Sequence, residues 1–327
     1  MKFNFEKNFK KENKVDNPVT YHLESGLDAE ISYKVFETQE SQPDEAVIFL
    51  PGLKMNPEDG VMENLANSYT QSSKRNTYVV KSELKTTSQG DFQIQETLFY
   101  EEARAINKFI EEKKLKNIII AGYSVGGTKG IDLAFILQEN KNIVVEGLVL
   151  LSAPGLYEQE EGSLRLNLIK DSLATPKAVI SENKYPDAFK RGAQGAGSLA
   201  KILLNSLNPI TGEKVKREFS EMEQYNSRVE ELEIPVVIIQ GSQDQVVEAD
   251  QIVPPEVLPS EREQYLKEYI FKKSPYVKMV TAEKLGKHGL PVFRAESVAE
   301  VSIGLLRRFN EKSQPLKNSS GNQSKQL

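Results

Sequence analysis

A chain of 327 residues is long enough to bury one large core or two smaller ones, and its composition of 39% hydrophobic and 27% charged residues is that of a globular protein. The absence of cysteine excludes disulfides, thiol nucleophiles and thiolate metal sites, and a net charge of −5 supplies no field to draw in nucleic acid. With two histidines, His22 and His288, any imidazole base must be one of that pair, and no His-rich metal constellation or H-E-x-x-H motif is available.

Residues 1–17 open with "MKFNFEKNFKKENK", which alternates charge with phenylalanine and never forms an apolar h-region. They are expected to be a flexible polar arm with no secretory signal, and the cytoplasm is the expected address. "VTYHLESGLDAEISYKVFE" (Val19 to Glu37) predicts an antiparallel hairpin turning near Ser25 to Asp28, with His22 in a strand or on the surface. Strands follow at "AVIFLPG" (Ala46 to Gly52), "TYVVK" (Thr77 to Lys81), "NIIIAGYS" (Asn117 to Ser124), "EGLVLLSAPG" (Glu146 to Gly155), "IPVVIIQGSQD" (Ile234 to Asp244) and "YVKMVTAEKL" (Tyr276 to Leu285). Several are continuously apolar, as strands covered on both faces must be.

Between them, Gln95 to Leu115 repeats apolar residues at helical spacing, with Glu and Lys filling the other face. Gly126 to Asn140 reads as a buried helix, and Phe293 to Asn310 as an amphipathic closing helix. Alternating strands and helices predict an α/β fold with a doubly wound, mostly parallel sheet. Residues 156–230 break this rhythm and are expected to form a helical cap inserted between core segments 18–155 and 231–310. A second insertion near Val253 to Ser274 carries a helix-like "SEREQYLKEYIFKKS", and residues 311–327 are expected to be a flexible tail. No apolar run approaches the ~20 residues of a transmembrane helix.

The chemistry begins at "IIAGYSVGG". Gly122-Tyr123-Ser124-Val125-Gly126 fits G-x-S-x-G, placed between a strand and a helix. A sharp strand-to-helix turn holds the central residue in a strained backbone conformation and lifts its side chain above the sheet, while Gly122 and Gly126 avoid collisions on either side. The helix that starts there offers free amides to a developing negative charge.

On this motif and its context, the chain from about Val19 to Asn310 resembles the esterase- or lipase-like serine hydrolases of the α/β-hydrolase superfamily, with a cap insertion. The resemblance implies a triad in the order serine, acid, histidine. "VVIIQGSQDQVV" (Val236 to Val247) is similar to the superfamily's acid element, with Asp244 at the acid position; Glu248 and Asp250 are less well matched alternatives, and Asp244 also suits a turn cap. "EKLGKHGLP" (Glu283 to Pro291) follows the last strand and holds His288. The resemblance also implies an oxyanion hole of two backbone amides, from Val125 after the nucleophile and from Leu53, beside Lys54, in the loop after the first apolar strand. Pro51-Gly52 stands where the superfamily often has His-Gly.

Serine at the elbow implies an acyl-enzyme formed on a carboxylic ester or a related acyl bond, with water as the second substrate and no cofactor. "GGTKG" (Gly126 to Gly130) lacks the spacing of a phosphate loop. Leu164, Leu166, Leu168, Ile169, Leu199, Ile202, Leu203 and Leu204 either line an acyl site or pack the cap onto the core. An aminopeptidase, thioesterase or acyltransferase on the same fold stays open, with Glu158, Glu160 and Glu161 as candidates to bind a free amine, as does a non-catalytic small-molecule binding module. Oligomeric state is not encoded in any motif.

Overall fold

A computed structural model describes residues 18–53, 55–85, 96–160, 162–164, 167, 209–242, 244, 247, 252–254, 256–282 and 294–313. The expected arm (1–17), the end of the expected tail (314–327) and most of the expected cap, including Leu166, Leu168, Ile169, Leu199, Ile202, Leu203 and Leu204, lie outside these residues.

Eight strands form one sheet: β1 (Val19–His22), β2 (Asp28–Phe36), β3 (Glu45–Leu50), β4 (Asn76–Lys85), β5 (Asn117–Tyr123), β6 (Val144–Leu151), β7 (Val236–Gly241) and β8 (Val277–Ala282). Their order is β1-β2-β4-β3-β5-β6-β7-β8. β2 runs antiparallel to both β1 and β4, and every pairing from β4 through β8 is parallel. The hairpin turns slightly earlier than its sequence suggests: Leu23 N–H donates to Leu27 O at 2.8 Å, with Gly26 at φ 82° supplying the left-handed step.

The central strands are apolar throughout because both faces of the sheet are covered. In β3, Ala46, Ile48 and Leu50 enter one core cluster while Val47 and Phe49 enter the other. The first cluster takes in the inner faces of α2 (Leu98–Glu112) and α3 (Val125–Gln138); the second is covered by α1 (Gly60–Ser73) and the closing helix (Ala295–Ser313). The closing helix runs three residues into the stretch expected as tail. Tyr69 of α1 hydrogen-bonds Ser302 of that helix at 3.0 Å inside the second cluster.

Three local expectations are corrected. The Glu-rich face of α2 is not all solvated: Glu101 and Glu102 are buried, held by Ser25 and Arg104 in the first case and by Lys129 in the second. The segment after residue 260 is one α-turn, Arg262–Tyr265, running into a π-turn, Leu266–Ile270. Phe271 N–H reaches back five residues to Leu266 O at 2.7 Å, and the wider turn brings Leu266, Ile270 and Phe271 together against the core. Finally, α1 has no counterpart among the expected helices. Its apolar residues Val61, Met62, Leu65, Ala66 and Tyr69 are interleaved with Asn64, Asn67, Ser68 and Thr70, which are weak helix formers.

Within the span expected as a cap, α4 (Pro209–Glu223) inserts Val215, Phe219 and Met222 into the same apolar cluster as α2 and α3. Their i, i+4, i+7 spacing makes one helix face. Glu221 fastens the contact by accepting the backbone N–H groups of Leu98 (2.7 Å) and Phe99 (3.2 Å) at the open N-terminus of α2. Burial pushes its carboxyl up to about 7, against those two bonds and Arg217. Nearby, Asn226 donates to the buried Asp132 of α3 at 2.9 Å; burial raises that carboxyl to about 6 against Asn226 and Arg228.

Candidate active site

Ser124 sits at the junction of β5 and α3 with φ 53° and ψ −127°. A positive φ is uncommon for a residue with a Cβ, and its neighbours enforce it. Ser124 N–H donates to Leu151 O at the end of β6 (2.8 Å), and Ser124 O accepts from Gly127 N–H (2.8 Å). A Cβ on Gly122 would lie 2.3 Å from Gly126 O, and one on Gly126 would lie 2.1 Å from Leu50 O. Both obstacles are backbone, so glycine is the residue that fits.

The same closeness ties the elbow to the loop after β3. There Met55 N–H donates to Gly52 O at 3.1 Å, turning the chain past Leu53. Leu53 and the buried Val125 line one small cavity, together with Gly52, Ser82, Glu102 and Lys129. Its interior holds about 20 Å³, room for about one water. The two residues expected to supply oxyanion amides are thus brought to one place. Lys54 lies outside the described residues.

Asp244 follows β7, two strands from β5 in the sheet, and is buried. Its Oδ1 accepts from Val247 N–H at 2.9 Å and its Oδ2 from Gln240 Nε2 at 3.0 Å. It therefore caps its own turn, and the same bonds fix the orientation of the carboxylate. Glu248, Asp250 and His288 lie outside the described residues.

His22, the other histidine, is on the surface of the hairpin, 2.8 Å from Asp28. β1 is four positions from β5, about 19 Å at ordinary strand spacing. Among the candidate cap residues, Leu164 is buried in the core cluster, and its N–H donates to Glu223 at 3.0 Å. Glu158 and Glu160 are exposed, and Glu161 lies outside the described residues. Among the described residues no group of His, Cys, Asp and Glu could hold a metal ion, and no helix is long and apolar enough to cross a membrane.

Two features of the site have no counterpart in the sequence reading. Ser152, just after β6, also has positive φ (48°) and is fully buried. Beside the loop at Gly52 and Leu53, Ser82, Glu102, Lys129 and Glu218 converge from four elements on the same cavity. Burial alone would pull the Lys129 ammonium down, but Glu102 beside it holds it above its ordinary range. The one sequence signal for this cluster is a lysine inside the apolar run of α3.

The family described as Serine aminopeptidase, S33, matches residues 87–261, which include Ser124 and Asp244. The chain belongs to the serine aminopeptidase S33 family. This S33 protein is accordingly a hydrolase, and its sheet is that of the α/β-hydrolase fold. No curated protein matches the sequence. Among solved structures, an esterase from Exiguobacterium antarcticum is similar over 88% of this chain and 98% of its own, at TM-score 0.57 and 14% identity. A hydrolase from Pseudomonas aeruginosa PA01 aligns with 90% of this chain and 99% of its own, at TM-score 0.58 and 11% identity. A proline iminopeptidase from Mycobacterium smegmatis aligns with 91% and 100%, at TM-score 0.53 and 14% identity. At these identities the likeness is one of fold.

Proposed function

We propose that the protein is a serine hydrolase that cleaves a carboxylic ester through an acyl-enzyme on Ser124, with His288 as the base, Asp244 as its carboxylate partner, and the Leu53 and Val125 amides as oxyanion donors. The observation that carries this reading is the backbone of Ser124. A strained serine, held by two obligatory glycines at the N-terminus of α3, is costly for a turn and useful for a nucleophile.

Chain geometry supports the partners. Asp244 and the end of β8 lie on the same side of Ser124 in the strand order. His288 is six residues beyond Ala282, a reach of up to about 20 Å, and β8 is three strand spacings, about 14 Å, from β5. His22, at the opposite edge, has no such route.

In this mechanism the neutral imidazole of His288 takes the hydroxyl proton as Ser124 Oγ attacks the carbonyl carbon. The oxyanion forms against the Leu53 and Val125 N–H groups, and the start of α3 adds its dipole. The imidazolium returns the proton to the leaving alcohol; water then repeats the sequence on the acyl-enzyme. Asp244 holds the ring tautomer and balances the imidazolium. Residues 156–230 act as a cap that sets the acyl and leaving groups accepted. The family match favours a second substrate class, the N-terminal aminoacyl bond.

A fluorophosphonate probe tests the nucleophile: the natural chain is labelled and Ser124→Ala is not. A panel of p-nitrophenyl esters, aminoacyl anilides and acyl-CoAs then ranks the substrate classes. An unlabelled natural chain would turn the reading toward a non-catalytic binding module.

A further inference from the structure

The cavity beside Leu53 and Val125 is polar where the core should be apolar. On β4, Val80 and Leu84 point into the α2/α3 core cluster, and Ser82 between them shares their face. Its Oγ is buried without a hydrogen-bond partner and borders the cavity. Glu102 of α2 and Lys129 of α3 form a buried ion pair against it, and Glu218 of α4 closes the same wall. Lys81 and Glu83, an ion pair at 2.9 Å, line the cavity as well, and Lys214 lies 3.9 Å from Glu102, so that three carboxylates face three ammonium groups.

A buried hydroxyl without a partner is rare in a folded interior, because it forfeits the bonds it made with water. Here it faces an opening about the size of one water, adjoining the residues proposed to hold the scissile carbonyl oxygen. The balanced charge around it disfavours an added ion, which would stand uncompensated at low dielectric. A small neutral group that donates and accepts a hydrogen bond fits both the volume and the charge.

We propose that this cavity is a specificity subsite that takes a hydroxyl carried by the substrate close to the scissile carbonyl, with Ser82 as its direct partner and the Glu102–Lys129 pair as the charged wall that orients it. The inference rests on the serine-hydrolase reading and names its substrate class: hydroxylated short esters over their plain counterparts. The hydroxyl belongs either to the acyl chain or to the leaving alcohol.

The test compares kcat/KM for three esters on the full-length protein: ethyl butyrate, ethyl 3-hydroxybutyrate and 2-hydroxyethyl butyrate. The expected result is a preference of about tenfold or more for one hydroxylated ester over ethyl butyrate, and the preferred ester tells which side carries the group. In Ser82→Ala that ratio falls to within about two- to threefold of unity. Both rates come from one variant, so a general loss of active protein cancels. Natural protein with ratios near unity in both arms overturns the subsite and leaves a cavity for resident water only. A preference that survives Ser82→Ala overturns it as well. If none of the esters is cleaved, the esterase reading has failed separately. The subsite is then judged by melting shifts of Ser124→Ala with the same three compounds: a shift specific to a hydroxylated ester and absent from the Ser82→Ala/Ser124→Ala double variant supports it, and equal shifts refute it.

Discussion

A Cβ on Gly126 would stand 2.1 Å from the carbonyl oxygen of Leu50, so the elbow and the first parallel strand are in backbone contact. Gly126→Ala must push the elbow off β3 and displace the Val125 amide with it. We expect it to lower stability by about 3 kcal/mol, the upper range for overpacking, and to abolish fluorophosphonate labelling. Gly60→Ala is the control, because a Cβ there meets nothing within 4 Å and Gly60 opens a helix. It should be neutral or slightly stabilising. Urea unfolding of the two variants decides; equal stabilities would mean the close contact is not enforced.

The strained φ of Ser124 separates function from stability. Ser124→Ala keeps the strain and loses the hydroxyl; Ser124→Gly loses both. Each should lower kcat by roughly 10³ or more, while the glycine variant should be the more stable of the two by about 1 kcal/mol, the scale of left-handed strain. Denaturant midpoints in the opposite order would show that the backbone at this turn stores no strain.

The two histidines should behave oppositely. His22 lies on an exposed edge strand, so His22→Ala should leave kcat/KM within about twofold of the natural protein. His288→Ala should lose roughly 10³ or more. In the natural protein kcat/KM should rise through about pH 6 to 7 as the free imidazole loses its proton. A flat profile over that range, or an active His288→Ala protein, assigns the base to another group.

How much of this was readable in the sequence follows from what each element packs against. β3, β5 and β7 were legible because both their faces are covered, which forces unbroken apolar runs such as Ile118-Ile119-Ile120. The elbow was legible because its two glycines answer a local steric demand. α1 was not, since Asn64, Asn67 and Ser68 dilute a stripe whose partner helix lies more than 200 residues away. The π-turn at Leu266–Ile270 depends on the core it meets, not on its own periodicity. Glu102 looked like part of a solvated face because its partner Lys129 sits on another helix, and a sequence window cannot see a long-range ion pair. The buried Ser82 was silent for the same reason.

Glu221 gives stability a pH dependence of definite sign. Burial holds its carboxyl up at about 7 in the folded protein, above the ordinary glutamate value of 4.5. Between those values the folded state binds the extra proton, so this group's contribution to stability falls as pH rises, and it levels off above about 7. Asp132 adds the same trend between 3.8 and about 6. The physical source is common to both: Glu221 of α4 is buried against the N-terminal end of α2, and Asp132 of α3 is covered by the turn after α4, so that each charged form lacks the hydration it would have in water. Glu221→Gln removes the titration but keeps one oxygen to accept an amide N–H of Leu98 or Phe99. The natural protein should therefore lose more stability between pH 5 and pH 8 than Glu221→Gln does, whatever the offset between the two curves. Urea unfolding at four or five pH values measures that difference in slope. Parallel curves would mean that Glu221 stays ionised throughout, with the two amides and Arg217 outweighing its burial.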